Sequence, residues 1–472
     1  MLLRIDNQVL KQAEKLKSNW KLKEALNVLD NFEINQDLTN HQRYQFYFLK
    51  SSILFDILSS NEALKYADLA YKVSKKLGSD YLVINTLILK AQIFASLVDP
   101  KKQLEAINEA EEILANQSDK STNEFQMMKA QILYRKGTYN FSIGNLIRCL
   151  DLLDKASQIA SKINDKNLIL LIIKWYGITY DIKGENDRAL EFKKQYLRLA
   201  IKLNDKQEII GAHNSLGMQF SKKGDNNRAI YHLKKGLSIC KQINSWKTFV
   251  VSSSLFEAYM EANYIEKAQQ LHDEMGELVA QGTFKFNIVA YRLQEAALLK
   301  RKLDKDSLSK AEKIYKEFAD RKMTFIEFKI DALVNLCDLY LIRLKETSNL
   351  KEMDKIQFYI DKIRSIAEDE EVYSLLVEMN LLDAKLMLLI YNFKEAQQLL
   401  TRALDIAIMY SLNFMIKRVN EEQIELSKNF IKWENLKVTG GKLAERMDLA
   451  RIDEQIRFLL QKREYLRDII RN

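Results

Sequence analysis

Proline is almost missing from this chain: there is one, Pro100, in 472 residues. Glycine is scarce as well, at 13 residues. Average usage would place about 24 prolines and about 33 glycines in a chain of this length. A β-rich fold, or one with many tight turns, needs more of both. Few helix breakers beside abundant Leu, Ile, Lys, Glu and Ala predict long helices. Cysteine is equally sparse. Cys149, Cys240 and Cys337 stand far apart and form no CxxC pair. That leaves no zinc knuckle or thioredoxin-type motif, and it predicts buried free thiols in a reducing, cytoplasmic setting. The longest obvious apolar run, 168–173, ends at Lys174. A membrane span needs about 20 such residues. The N-terminal MLLRIDNQVLKQAEKL lacks the apolar core of a signal peptide.

Charge of one sign is lacking too. Lys and Arg number 73 against 64 Asp and Glu, a net +9. Spread over the chain, this is a solvated surface with a slight excess of Lys. No run of five like charges forms a basic tail, so a nucleic-acid partner is disfavoured. Catalytic patterns are also missing. His41, His213, His232 and His272 form no HExxH and no His–Cys cluster. There is no G-x-S-x-G elbow. Gly441-Lys442 fails as a phosphate loop, because Leu436 and Leu443 stand where a Gly and a Ser or Thr are required. The sequence therefore calls for no catalytic residue, no cofactor and no metal.

What the sequence has is repetition. Gly137, Gly177 and Gly217 are spaced by 40, as are Gly144, Gly184 and Gly224. The same step relates Arg148, Arg188 and Arg228, then Cys149, Ala189 and Ala229, and again Asn164, Asn204 and Asn244. Internal repetition at this period signals a stacked array. Gly177 lies in an apolar stripe with Trp175, Tyr176 and Tyr180. A helical Gly costs about 1 kcal/mol relative to Ala, so close approach of a second helix is expected there. Gly184 ends that helix in a left-handed conformation. The tracts GEND and GDNN begin the second helix with capping side chains. Ala189 and Ala229 let helices cross closely, and Cys149 does the same as a small hydrophobe. The Asn column closes the second helix. With the small residue as marker, units recur at Ala25, Ala63, Ala106, Cys149, Ala189, Ala229, Ala268, Ala311, a degenerate site near Lys355, and Ala396. Pro100 falls in a turn between two helices of the third unit.

This pattern resembles the tetratricopeptide repeat, in a long-helix variant with a period of about 40 residues. Leu216-Gly217, Phe220 and Ala229 match the family order, as do Tyr176-Gly177, Tyr180 and Ala189. The family's Pro at the end of the second helix is replaced by Asn, and its Trp appears once, as Trp175. The match is clearest over 130–250. The resemblance implies an all-α fold: a right-handed α-α superhelix, or solenoid, of about ten helix-turn-helix repeats over 1–435, with a C-terminal helix over 436–472. It also implies peptides or partner proteins held on the concave face lined by first helices. Candidates on that face are Tyr134, Thr138 and Phe141, then Lys174, Ile178 and Asp181, then Asn214, Met218 and Ser221. The row Tyr134, Lys174, Asn214 either holds a peptide backbone or is plain solvated surface.

Past Gly440-Gly441, Leu449, Ile452, Ile456, Leu459, Arg463, Leu466 and Ile470 step by three and four, with Leu460 and Ile469 widening the stripe. Two readings fit: a helix capping the last repeat, or a coiled-coil homodimer through 449–470. Three functions compete. The leading one is a non-catalytic adaptor that binds proteins or peptides in its groove. The second is a ligand-sensing regulatory receptor, weakened because no DNA-binding motif fits before the unit marked by Ala25. The third is an RNA-binding helical repeat, whose period of about 35 residues fits poorly.

Overall fold

The computed structural model describes residues 7–32, 38–57, 59–97, 99–280, 285–320, 326–410 and 412–461. Every regular element among these described residues is an α-helix. Ten consecutive hairpins come first. They pair α1 (Gln8–Ser18) with α2 (Leu22–Asp30), α3 (Asn40–Asp56) with α4 (Ser60–Lys76), and α5 (Asp80–Ser96) with α6 (Pro100–Ala115). Next are α7 (Asn123–Ser142) with α8 (Leu146–Lys162), α9 (Lys166–Ile182) with α10 (Asn186–Lys202), and α11 (Lys206–Lys222) with α12 (Asn226–Gln242). The last four pair α13 (Thr248–Glu261) with α14 (Ile265–Ala280), α15 (Lys285–Arg301) with α16 (Lys305–Asp320), α17 (Ile326–Thr347) with α18 (Lys351–Asp369), and α19 (Tyr373–Leu389) with α20 (Phe393–Met409). Four further helices follow: α21 (Asn413–Lys428), α22 (Phe430–Thr439), α23 (Leu443–Ala450) and α24 (Ile452–Gln461). The chain groups into two compact units that part between Ala212 and His213, within α11. No described helix is long and apolar enough to cross a membrane.

The repeat columns do the work their chemistry suggests. Gly144, Gly184 and Gly224 take φ of +78°, +77° and +73°, and each breaks the chain between the two helices of a hairpin. Asn164, Asn204 and Asn244 take φ of +56°, +54° and +48° between hairpins. Outside these repeats the same left-handed step persists without glycine, at Trp20, Asn263, Leu303, Ser348 and Tyr391. Such a conformation costs a residue with a Cβ roughly 1 kcal/mol, which packing of the hairpin offsets. This is why the outer units look degenerate in sequence while their turns keep one geometry. Asn145 and Asp225 cap α8 and α12 through side-chain oxygens, and Pro100 is the first residue of α6.

Packing follows the small-residue column. Ala25, Ala63, Cys149, Ala189, Ala229, Ala268, Ala311 and Ala396 are fully buried. Near Lys355 the role passes to Ile356, also fully buried, so the degenerate unit folds as the hairpin of α17 and α18. In the first unit, polar rungs tie each first helix to the second helix before it. Lys50 pairs with Asp30 at 2.7 Å, Lys90 with Asp68 at 2.8 Å, and Lys136 with Glu111. The Tyr176 hydroxyl donates to Asp154 in the same way. Cys149, Cys240 and Cys337 are free and buried. Burial raises all three thiol pKa values, those of Cys149 and Cys240 to about 11.

The C-terminal segment departs from a single helix. α21 packs on α20 and continues the stack. Gly440, at φ +69°, ends α22, and Arg451, at φ +53°, breaks the chain between α23 and α24. The seam from Leu449 to Leu459 is therefore split. Ile452, Ile456 and Leu459 are buried, and α24 packs on α17 and α19. Arg463, Leu466, Ile469 and Ile470 lie outside the described residues.

Candidate functional site

The second unit carries a cavity of about 960 Å³. Its walls are the first helices α11, α13, α15 and α17, closed on one side by α24. The first helices stand side by side because the second helices and their small residues fill the layer behind them. That leaves the facing side chains of α15 and α17 to form a floor.

The floor is polar and buried. Lys300 is 8% exposed, and its Nζ donates to Asn335 Oδ1 at 2.7 Å and to Asp338 Oδ2 at 2.5 Å. The Asn335 amide donates to the Asp331 carbonyl at 2.9 Å and its carboxylate at 3.2 Å. Lys300 also lies over the Tyr315 ring, at 5.9 Å. Beside this chain, Gln294 is 2% exposed and donates to Ser253 Oγ at 2.7 Å. Gln294 Oε1 lacks a hydrogen-bond partner among the described residues. A buried acceptor without a donor costs about 1–3 kcal/mol, and an N–H donor entering the cavity would recover it.

Charge along the lining is even. Lys222, Lys300, Arg301, Lys345 and Arg457 face Glu257, Glu261, Asp331, Asp338 and Asp453. Nucleic acid needs a net-positive track for its phosphates, and this cavity has none. Alternating charge, amide groups and apolar side chains such as Met260, Leu293 and Ile456 suit a peptide's mixture of N–H, C=O and side chains.

The wall formed by α24 is firmly tied. Lys345 reaches Asp453 at 3.4 Å and Asp448 at 3.5 Å. Gln455 accepts from Arg418 at 2.7 Å and donates to the fully buried Glu378 at 2.7 Å. Lys385, whose pKa burial lowers, donates to the Ala450 carbonyl that ends α23 and to Glu422.

Of the nine residues singled out from the sequence, Met218 and Ser221 line this cavity. Ser221 donates to Glu261 at 2.5 Å. Asn214 sits one turn before Met218, donates to its sulfur at 3.2 Å, and leaves its Oδ1 without a partner among the described residues. The other six belong to the first unit. Tyr134, Thr138 and Phe141 are buried there, Phe141 edge-on to Trp175. Lys174 pairs with Glu208 at 3.8 Å, Asp181 takes Lys193 at 2.7 Å, and Ile178 packs in the core around Tyr176. The floor residues Gln294, Lys300 and Asn335 carry no motif in the sequence. They fall on first helices without the glycine column, where the small-residue marker of the second helix fixes the unit but not the facing of the first helix. Among the described residues no three His, Cys, Asp or Glu side chains are grouped to hold a metal.

No family model matches the chain, and no characterised protein matches it by sequence. Solved structures do. The apo form of RapI superposes with a TM-score of 0.51 at 15% identity, over 76% of this chain and 98% of that one. A Rap protein complexed with competence and sporulation factor gives 0.53 at 16% identity, over 76% and 97%. At this identity the likeness is one of fold, a tetratricopeptide-like helical repeat array.

Proposed function

We propose that this protein is a non-catalytic peptide receptor or adaptor that holds a peptide, or an extended segment of a partner protein, in the cavity of its second unit. The observation that carries the reading is the buried floor. Lys300, Asn335 and Asp338 are held in a fixed chain, and Gln294 presents an unsatisfied acceptor beside them. Binding sites of this kind preorganise a few polar groups among apolar walls. One of the similar structures is itself a complex with competence and sporulation factor. Met218 and Ser221 stay in the proposed site, with Asn214 at its edge. The free, buried thiols support a cytoplasmic location. The long-period tetratricopeptide class is our reading of the 40-residue columns. For a homodimer through 449–470, the described part of that stretch offers little, since Ile452, Ile456 and Leu459 are occupied within the chain.

The test is native mass spectrometry of the protein purified gently from its source, followed by titration of any peptide found. Gln294→Leu and Asn335→Ala should each weaken that peptide at least tenfold. A peptide held equally well by both variants would remove the cavity from the reading. The regulatory alternative would require α24, which lends Asp453, Ile456, Arg457 and Leu460 to the cavity lining, to shift when a ligand binds. A ligand-induced change in the scattering profile would select it.

A further inference from the structure

Lys50, Lys90 and Lys136, on first helices of the first unit, each meet a carboxylate of the helix before. Arg135, next to Lys136 in the chain, meets no carboxylate among the described residues. Its guanidinium lies over the Tyr134 ring at 4.8 Å. Gln92, with its amide oxygen turned towards Arg135, accepts from Nη1 at 3.3 Å and from Nη2. The Arg135 Nε is shut off from solvent and has no acceptor among the described residues. A guanidinium carries five donors and a full charge, so a neutral amide and a ring leave it short of an acceptor and of a counter-charge. Burial accordingly lowers the Arg135 pKa. A charge drawn out of water without an opposite charge beside it is costly.

Register shows which way Arg135 points. It stands 14 residues before Cys149, the small residue of its hairpin, as Gln92 and Trp175 stand 14 before Ala106 and Ala189. In each of these hairpins the second helix starts four residues after the first ends. The residues at this place in the second unit include Ser254 and Ala297, 14 before Ala268 and Ala311, and both line the cavity there. Gln92, Arg135 and Trp175 therefore form one row on the inner face of α5, α7 and α9, each half-buried. Lys174 stands beside the row. Its ammonium is 3.8 Å from Glu208, too far for a hydrogen bond, and Glu208 accepts from the Tyr196 hydroxyl. Burial raises the Tyr134 pKa, and against it act Arg135 and then Lys174, so both cations bear on one place.

We propose that this row is a phosphate-binding site on the inner face of the first unit, with Arg135 as the fork that takes two phosphate oxygens and Lys174 as the second cation. A guanidinium fork takes up both oxygens of a carboxylate and leaves nothing for a second cation. A phosphate has a further oxygen, which an ammonium on the next first helix can hold as a point charge. Gln92 steadies the fork, and Trp175, edge-on to Phe141 at 5.0 Å, walls the row on the other side. The site lies within the first unit and does not depend on the peptide cavity of the second.

The experiment is calorimetric titration of the full chain with inorganic phosphate in a phosphate-free buffer, with acetate at matched ionic strength as the control. Wild type should bind phosphate, melt higher as its concentration rises, and bind acetate about tenfold more weakly. Arg135→Gln should weaken phosphate binding about tenfold or more. Without phosphate it should melt no lower than wild type, because it removes an uncompensated charge and keeps an amide for Gln92. Lys174→Ala should weaken binding about fivefold. O-phosphoserine distinguishes the source: tighter binding than inorganic phosphate assigns the site to a phosphate carried on a larger ligand, and weaker or equal binding to the free ion. Both results keep the site. No phosphate binding, binding unchanged in Arg135→Gln, or acetate held as well as phosphate overturns the proposal. So does an Arg135→Gln variant that melts lower in the absence of phosphate, since the arginine would then serve the fold.

Discussion

His213 on α11 and His232 on α12 face one another with their Nδ1 atoms 3.0 Å apart. Phe220 stacks on His232, and Tyr231 lies edge-on to it. Burial, then the neighbouring His232, then Lys235 lower the His213 pKa from 6.5 to about 4. Burial and Arg228 lower that of His232. Both rings are thus held neutral near pH 7, and one Nδ1 donates to the other.

A folded-state pKa below the unfolded value means that the unfolded chain takes up protons first as pH falls. Stability from this pair is therefore complete above about pH 6.5 and declines towards pH 4. Discounted for partial exposure, the loss is about 1–2 kcal/mol. Thermal melts of wild type and His213→Gln between these limits should show a shallower acid slope in the variant. Equal slopes would mean that other groups dominate.

Gly217 is set against Leu233. A Cβ at this position would come within 2.4 Å of Leu233 Cγ, whereas one at Gly137 would meet Leu153 Cδ2 at 3.2 Å. Overpacking costs about 1–3 kcal/mol, against about 1 kcal/mol gained in helix propensity. Gly217→Ala should destabilise the fold in urea, and Gly137→Ala should be near neutral. The reverse order would contradict this account of the column.

The Tyr315 hydroxyl is fully buried and has no hydrogen-bond partner among the described residues. Tyr315→Phe removes an unsatisfied group without changing the ring, and should stabilise the protein by about 0.5–1 kcal/mol. Lys300→Ala takes the cation from Asp338 and Asn335, and should cost about 2–3 kcal/mol. Chemical denaturation of both variants decides the matter, and destabilisation by Tyr315→Phe would imply a hydroxyl partner within the fold.

Thiol reagents should leave the native protein unlabelled. The raised pKa values of Cys149 and Cys240, about 11, keep both as protonated thiols at neutral pH, and burial blocks access. Labelling at a rate equal to that of a free thiol would place at least one cysteine on a mobile surface. Modification should instead track global unfolding.

The hairpins, their turns and their small-residue contacts were legible in the sequence because each rests on a local rule. A left-handed φ at Gly184 or Asn204, a cap at Asp225, and a small residue at Ala189 are all set within one hairpin. Where Leu303 or Tyr391 adopts the same turn, the local signal is gone and packing alone holds the geometry. Tertiary structure decided the rest. Lys300 meets Asn335 and Asp338 from 35 and 38 residues away, and Gln455 meets Glu378 from 77. Such distances have no fixed period in sequence. They depend on how far each hairpin turns relative to the last, and that small rotation follows from the packing of whole helices rather than from any one residue.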